Sequence, residues 1–156
     1  MGITPGTIDA QAFTATKFGF RTDKASATLP ASTVQSLFTV SGGRVIVLGV
    51  VGEVTTIVQA QACNAKLVST PTTGTAVDMC AVLDINGDEA GCLYGISGVP
   101  ADALVGANAG LGPMCSRAQV VPIGIIKLST SATNTGATKW SIYWVPLDDG
   151  AVLVSA

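Results

Sequence analysis

Histidine is absent from the 156-residue chain. A Ser-His-Asp or Cys-His relay therefore cannot be built from this polypeptide alone, which removes the commonest hydrolase chemistry. Zinc sites of mixed Cys and His ligands go with it. Charge is scarce too: Asp, Glu, Lys and Arg make up 12% of the residues, about half the share in an average soluble domain. The basic residues Lys17, Arg21, Lys24, Arg44, Lys66, Arg117, Lys127 and Lys139 are dispersed, and the net charge is −2. No basic stripe faces a phosphate backbone, so nucleic acid is not expected as a partner. No apolar run approaches the roughly 20 residues of a membrane-spanning helix. The opening MGITPGTIDAQAF has neither the positive n-region nor the apolar h-region of a secretory signal. Gly6 stands where a myristoylation signal places Ser or Thr. No membrane partner is expected, and synthesis in a reducing cytoplasm is.

In that compartment Cys63, Cys80, Cys92 and Cys115 are expected as free buried thiols, and their spacings match no zinc motif. Cys80 and Cys92 flank Asn86 almost symmetrically, so a disulfide across a hairpin there stands as the alternative. No metal and no cofactor are expected.

What the chain does have is 48% hydrophobic residues, arranged in short runs of Val, Ile and Thr cut by Gly, Pro and Asn. That pattern predicts an all-β fold: a single-domain β-sandwich or jelly-roll-like barrel, with a long loop and an extended N-terminal arm. Residues 1–32 are expected to form the arm and first strand, with Phe13 to Leu29 supplying the strand and Gly2 to Ala12 lying against a neighbour. Residues 33–156 are the sandwich body. Val34 to Val40 and Val45 to Val51 flank Ser41-Gly42-Gly43-Arg44 and read as a hairpin. Val54 to Val68 reads as one extended segment, preceded by bulges or bends at Gly49 and Gly52. Val77 to Ile85 and Cys92 to Ile96 read as a second hairpin about Asn86-Gly87, although VDMCAVL could hold a helical turn. Gly95 to Ser116 is a long loop with one short helix, and Pro122 places Val120 to Leu128 at an edge or a bulge.

No catalytic constellation assembles. Ser97 in GISGV lacks the second Gly of a nucleophile elbow, and GANAGLG matches neither a P-loop nor a dinucleotide fingerprint. The pairs Asp88–Glu89 and Asp148–Asp149 lie in turn sequences and read as solvated surface. Asp84, Asn86 and Asp88 repeat the spacing of half a calcium loop, but Glu89 and Gly95 stand where such a loop needs Gly and Glu. The expectation is that the chain is not an enzyme.

Aromatics are only 5% of the chain, yet Trp140, Tyr143 and Trp144 fall together in KWSIYWVPLDDG. Strand geometry puts Trp140, Ile142 and Trp144 on one face and Ser141, Tyr143 and Val145 on the other. Two readings stand for these rings: sandwich core, each burying about 150–250 Å², or a partner interface. Phe13, Phe18 and Phe20 near the start need burial as well.

GGRVIVLGVVGEVTT, AKLVSTPTTGTAVDMCAVLDINGDEAGCLYGISG and KWSIYWVPLDDGAVLVSA resemble small virion structural proteins of tailed bacteriophages, of the capsid decoration or cement type. The ending W-x-x-x-x-V-P-L-D-D-G is the most distinctive part. The resemblance implies a β-rich, commonly jelly-roll-like domain that forms small oligomers on the outside of the head and clamps neighbouring subunits of the major capsid protein. The expected location is the virion surface after synthesis in the host cytoplasm, and the expected self-assembly is a homo-oligomer, with a trimer first. A tail or head-fibre protein, or an adhesin-like sandwich binding glycan through Trp140 and Trp144, is the alternative.

Overall fold

The computed structural model describes residues 19–108 and 116–156. Among them, the strands in chain order are β1 (Phe20–Thr28), β2 (Val34–Ser41), β3 (Val45–Thr56), β4 (Asn64–Pro71), β5 (Val77–Asp78), β6 (Leu83–Asp84), β7 (Leu93–Gly95), β8 (Val105–Ala107), β9 (Gln119–Val121), β10 (Gly124–Thr130), β11 (Ala137–Pro146) and β12 (Val152–Ser155). They form two antiparallel sheets packed face to face. Sheet A runs β1-β11-β3-β7-β8, with β9 also on β3. Sheet B runs β12-β2-β10-β4-β5, with β6 also on β4.

Every long strand but β4 hands the chain to the opposite sheet, and β1-β11-β3-β7 faces β2-β10-β4-β5. That order is a jelly roll, a double Greek key wrapped into two sheets. Period-2 alternation supplies the core. In β10 every second residue from Gly124 to Thr130 is buried, and in β11 the buried set is Thr138, Trp140, Ile142 and Trp144. Leu37, Phe38, Leu67, Ile126 and Leu128 of sheet B meet Val45, Val47, Val50, Trp140 and Ile142 of sheet A in one contiguous cluster.

Neither predicted hairpin exists. β2 pairs with β10 and β12, whereas β3 pairs with β11, β7 and β9, so Ser41 to Arg44 arches from one sheet to the other. Gly42 supplies the positive φ of 74° that the arch needs, and the Gly150 carbonyl occupies the place where a Cβ would point. The Asn86-Gly87 turn forms as expected, with Gly87 at φ 71°. It too crosses between sheets: β5 and β6 pair with β4, and β7 pairs with β3. VDMCAVL holds no helical turn, and no helix occurs in the described part of Gly95 to Ser116.

Other boundaries shift for physical reasons. Val54 to Val68 is not one strand; β3 ends at Thr56 and β4 begins at Asn64. One bulge of β3 falls between the pairs Tyr143–Gly49 and Trp144–Val47, next to the predicted position. Gly52 is no bulge: an ideal Cβ there would lie 2.6 Å from the Trp140 ring, so its missing side chain is what admits the indole. Pro122 separates β9, which pairs with β3 alone among the described strands and so lies at an edge as expected, from β10, which lies between β2 and β4 at the centre of sheet B. At the start, β1 is the edge strand of sheet A. Gly2 to Ala12, Phe13, Phe18 and Cys115 lie outside the described residues.

Candidate interaction surface

The tryptophans belong to the core. Trp140 is 2% exposed and Trp144 7%. The Trp140 ring stacks on Tyr94 of β7 at 6.1 Å, and its Nε1 donates to the buried Thr138 hydroxyl at 3.0 Å. Tyr94 in turn donates its hydroxyl to Asp88 Oδ2 at 2.6 Å. Burial first, and the Asp88 carboxylate second, hold that phenol far above its ordinary range, so it remains a donor. Trp144 reaches the opposite side. Its ring lies 5.2 Å from Phe20 of β1, and its Nε1 donates to Thr22 Oγ1 at 3.0 Å. The Thr22 hydroxyl donates in turn to the Leu153 carbonyl of β12 at 3.1 Å, tying sheet A to sheet B. A glycan stacking on these indoles has no exposed ring to meet, so that role for Trp140 and Trp144 does not hold.

The Asp-Asp turn is also structural. Asp148 accepts from the Arg44 backbone N–H and from both Nε and NH2 of its guanidinium, each at 2.8 Å. These hydrogen bonds lower its pKa to about 2. Cys63, Cys80 and Cys92 are buried free thiols, so Cys80 and Cys92 are not paired. Burial pushes the Cys80 and Cys92 thiols up, which keeps them protonated and unreactive. Asp84 accepts from Cys63 N at 3.0 Å and from Asn86 N at 3.2 Å, fastening the turn locally. Asp84, Asp88, Cys92 and Asn108 do line a polar cavity of about 230 Å³. Among the described residues no group of three or more Cys, Asp or Glu side chains is placed to hold a metal ion. Ser97 organises its loop, donating to Asp102 Oδ2 at 2.7 Å and accepting from Val99 N at 3.0 Å.

The outward faces of the two sheets differ. On sheet A, Val145 pairs with Ile46 and Ile46 with Val120, an unbroken apolar row. Next to it lie Tyr143 opposite Gly49, then Val51 between Ser141 and Gly95. Tyr143, Val145, Ile46 and Val51 are half-buried, and Val120 is 57% exposed. The charges around this patch neutralise one another. Arg21 pairs with Asp23 at 2.8 Å, and Lys139 pairs with Glu53 at 2.8 Å. Asp23 is held below its ordinary pKa by the Ser141 hydroxyl first and by Arg21 as well.

On sheet B each row is broken by hydroxyls or charge: Val154–Thr39–Ile125–Thr70, then Ser36–Lys127–Val68–Asp78, then Val34–Ser129–Lys66. Lys66 and Lys127 stand there with Asp78 and with Asp84, which pairs with Asn64 on the same side, so charge interrupts that face without an excess of one sign. The sheet A face is therefore the candidate surface, since a contiguous exposed apolar patch marks an interaction site. Tyr143 is the one residue of the aromatic cluster that contributes to it. The signal for the rest was present in β3, where VIVLGVV is apolar at successive positions, the pattern of a strand covered on both faces. No protein-family model, no curated protein and no solved structure matches this chain.

Proposed function

We propose that the chain is a structural capsid decoration protein, which binds the outside of a phage head and stabilises contacts between subunits of the major capsid protein. The observation that carries this reading is the apolar, charge-neutral outer face of sheet A on a jelly-roll body. A jelly roll by itself hosts many functions, but a rigid sandwich presenting a flat apolar sheet suits binding to other protein surfaces. The resemblance of the segments from GGRVIVLG to VLVSA supports the same reading. A protein that binds only the assembled shell stabilises it by mass action. Joining several copies in a homo-oligomer multiplies the effect.

The test is co-sedimentation of the purified chain with heads of the phage that encodes it, stripped of the protein. Saturable binding and a higher temperature of head disruption are expected. Heads that neither bind the chain nor gain heat resistance sink the reading.

A further inference from the structure

We infer that the cleft lined by β5 and β9 is a socket for one tryptophan side chain of a partner protein, held by a hydrogen bond from its indole N–H to Gln119. The inference rests on the reading of the chain as a protein that packs on others, and it names the side chain such a partner must offer.

The cleft has a volume of about 320 Å³ and takes its lining from both sheets. That is the low end of the range for ligand pockets, room for one large side chain rather than a length of peptide. Pro71, Pro100 and Pro122 give it rigid apolar walls that carry no N–H. Gln119 brings an unanswered polar group. Its Nε2 donates to the Met79 carbonyl at 3.0 Å, which fixes the orientation of the amide. Its Oε1 is then buried and accepts no hydrogen bond from the protein. A buried acceptor without a donor is costly until an occupant supplies one. Asp78, the charged residue of the lining, is already paired with Lys66 at 2.7 Å, so the cleft calls for no cation. The occupant therefore joins an apolar body to a neutral donor, as Trp and Tyr do. An indole N–H only donates, whereas a phenol adds lone pairs that seek donors of their own, and the proline walls offer none. Val77 and Val120 also line the cleft and are 59% and 57% exposed. A small molecule would leave that apolar rim wet; a protein covers it, as around the anchors of protein interfaces. Val120 belongs to the apolar row of sheet A as well, so the socket adjoins the face assigned to the capsid.

The experiment is an amide NMR titration of the purified full chain without any capsid. The probes are N-acetyltryptophanamide, the same compound methylated on the indole nitrogen, and a capped Val-Trp-Val tripeptide. Saturable shifts are expected at the Gln119 side-chain amide, Val77 and Val120, with dissociation constants on the order of millimolar for the single residue. The tripeptide is expected to bind more tightly, because its flanking side chains reach the exposed rim. Methylation removes the donor and is expected to weaken binding about tenfold. Gln119→Leu is expected to erase that difference, a result that general damage to the fold would not produce. Val77→Asp, at an exposed position where folding is not at stake, is expected to weaken all three probes. Equal binding of the two single-residue probes to the wild type overturns the proposal, as does a preference for the N–H that survives Gln119→Leu. Absence of saturable shifts overturns it too and leaves solvent as the donor to Oε1. A tripeptide no tighter than the single residue points to a small-molecule ligand and overturns the assignment to a partner protein. Heads that bind the chain when none of these probes does would remove the socket and leave the capsid reading standing.

Discussion

The sandwich has two lateral openings, and the chain closes them by different means. On the β1/β12 side the work is done by side chains. Trp144 bonds Thr22, Thr22 bonds the Leu153 carbonyl, and Lys24 reaches the main-chain oxygen of Ala156. On the opposite side the strands are two or three residues long, and main chain does most of the sewing. Ala81 N donates to the Asp102 carbonyl at 2.7 Å, Leu104 N donates to the Ala81 carbonyl at 2.9 Å, and the Gln119 amide reaches the Met79 carbonyl at 3.0 Å. The short-stranded side leaves a cavity of about 320 Å³ lined by Pro71, Val77, Pro100, Val120 and Pro122 among others. Edge strands are templates for unwanted pairing, and the comparison shows two remedies in one molecule. One edge is tied by hydroxyl and ammonium groups, and the other is shortened and interrupted by proline.

Each tryptophan serves one side, which makes the contrast breakable. Trp140→Ala removes the stack on Tyr94 beside the short-stranded side and leaves a large void over Gly52. It is expected to cost about 3–5 kcal/mol in a denaturant titration, and a loss below about 1 kcal/mol would show that Trp140 does not anchor β7. Thr22→Val tests the other side. It strands the Trp144 N–H and the Leu153 carbonyl, for an expected cost of about 1–3 kcal/mol. Amide exchange should quicken in β1 and β12 while β7 is unaffected, and Thr22→Ser should restore protection. Uniform acceleration would mean the two sides are not separately held.

The smallest effect concerns the arch between β2 and β3. The Asp148 carboxyl titrates at about 2 in the folded chain, below its ordinary value of about 3.9. Its contribution is therefore complete above the ordinary value and is lost as pH falls from about 4 toward 2. The Asp148→Asn variant should show a flatter decline of Tm than the wild type over that window. Parallel curves would show that the Arg44–Asp148 pair carries none of the acid sensitivity.

Strands and turns were legible in the sequence, but strand partners were not. Gly42 and Asn86-Gly87 make turns where their backbone chemistry requires, and the alternation through Trp140, Ile142 and Trp144 identified the inward face of β11. A turn signal states only that the chain reverses. Whether the next strand pairs beside the last or stacks above it depends on residues far away, as when Phe38 meets Ile126 and Trp140 meets Gly52. Pro122 marked the edge strand β9 but misled about β10 for the same reason: it forbids a ladder bond at one residue, and the chain used that residue to change sheets. The apolar outer face of sheet A was written in β3, where outward Ile46 and Val51 are as apolar as inward Val47 and Val50. Its meaning required knowing that β9 and β11 add Val120, Val145 and Tyr143 beside it.

The alternation of strands between sheets also governs how fast this molecule can be made. Among the described residues, except for short pairs such as β4–β5 and β7–β8, almost no ladder joins strands adjacent in the chain: β1 and β2 must wait for β11 and β10, which lie on the far side of the sequence. Loop-closure entropy is lost before those contacts form, which sets folding on the slow, millisecond-to-second scale of high-contact-order β proteins. During that interval the apolar β3 is uncovered on both faces, and the unfinished chain is most exposed to aggregation. Sparse charge offers little protection then, so the rate at which the late strands β10 and β11 arrive limits the yield of folded protein.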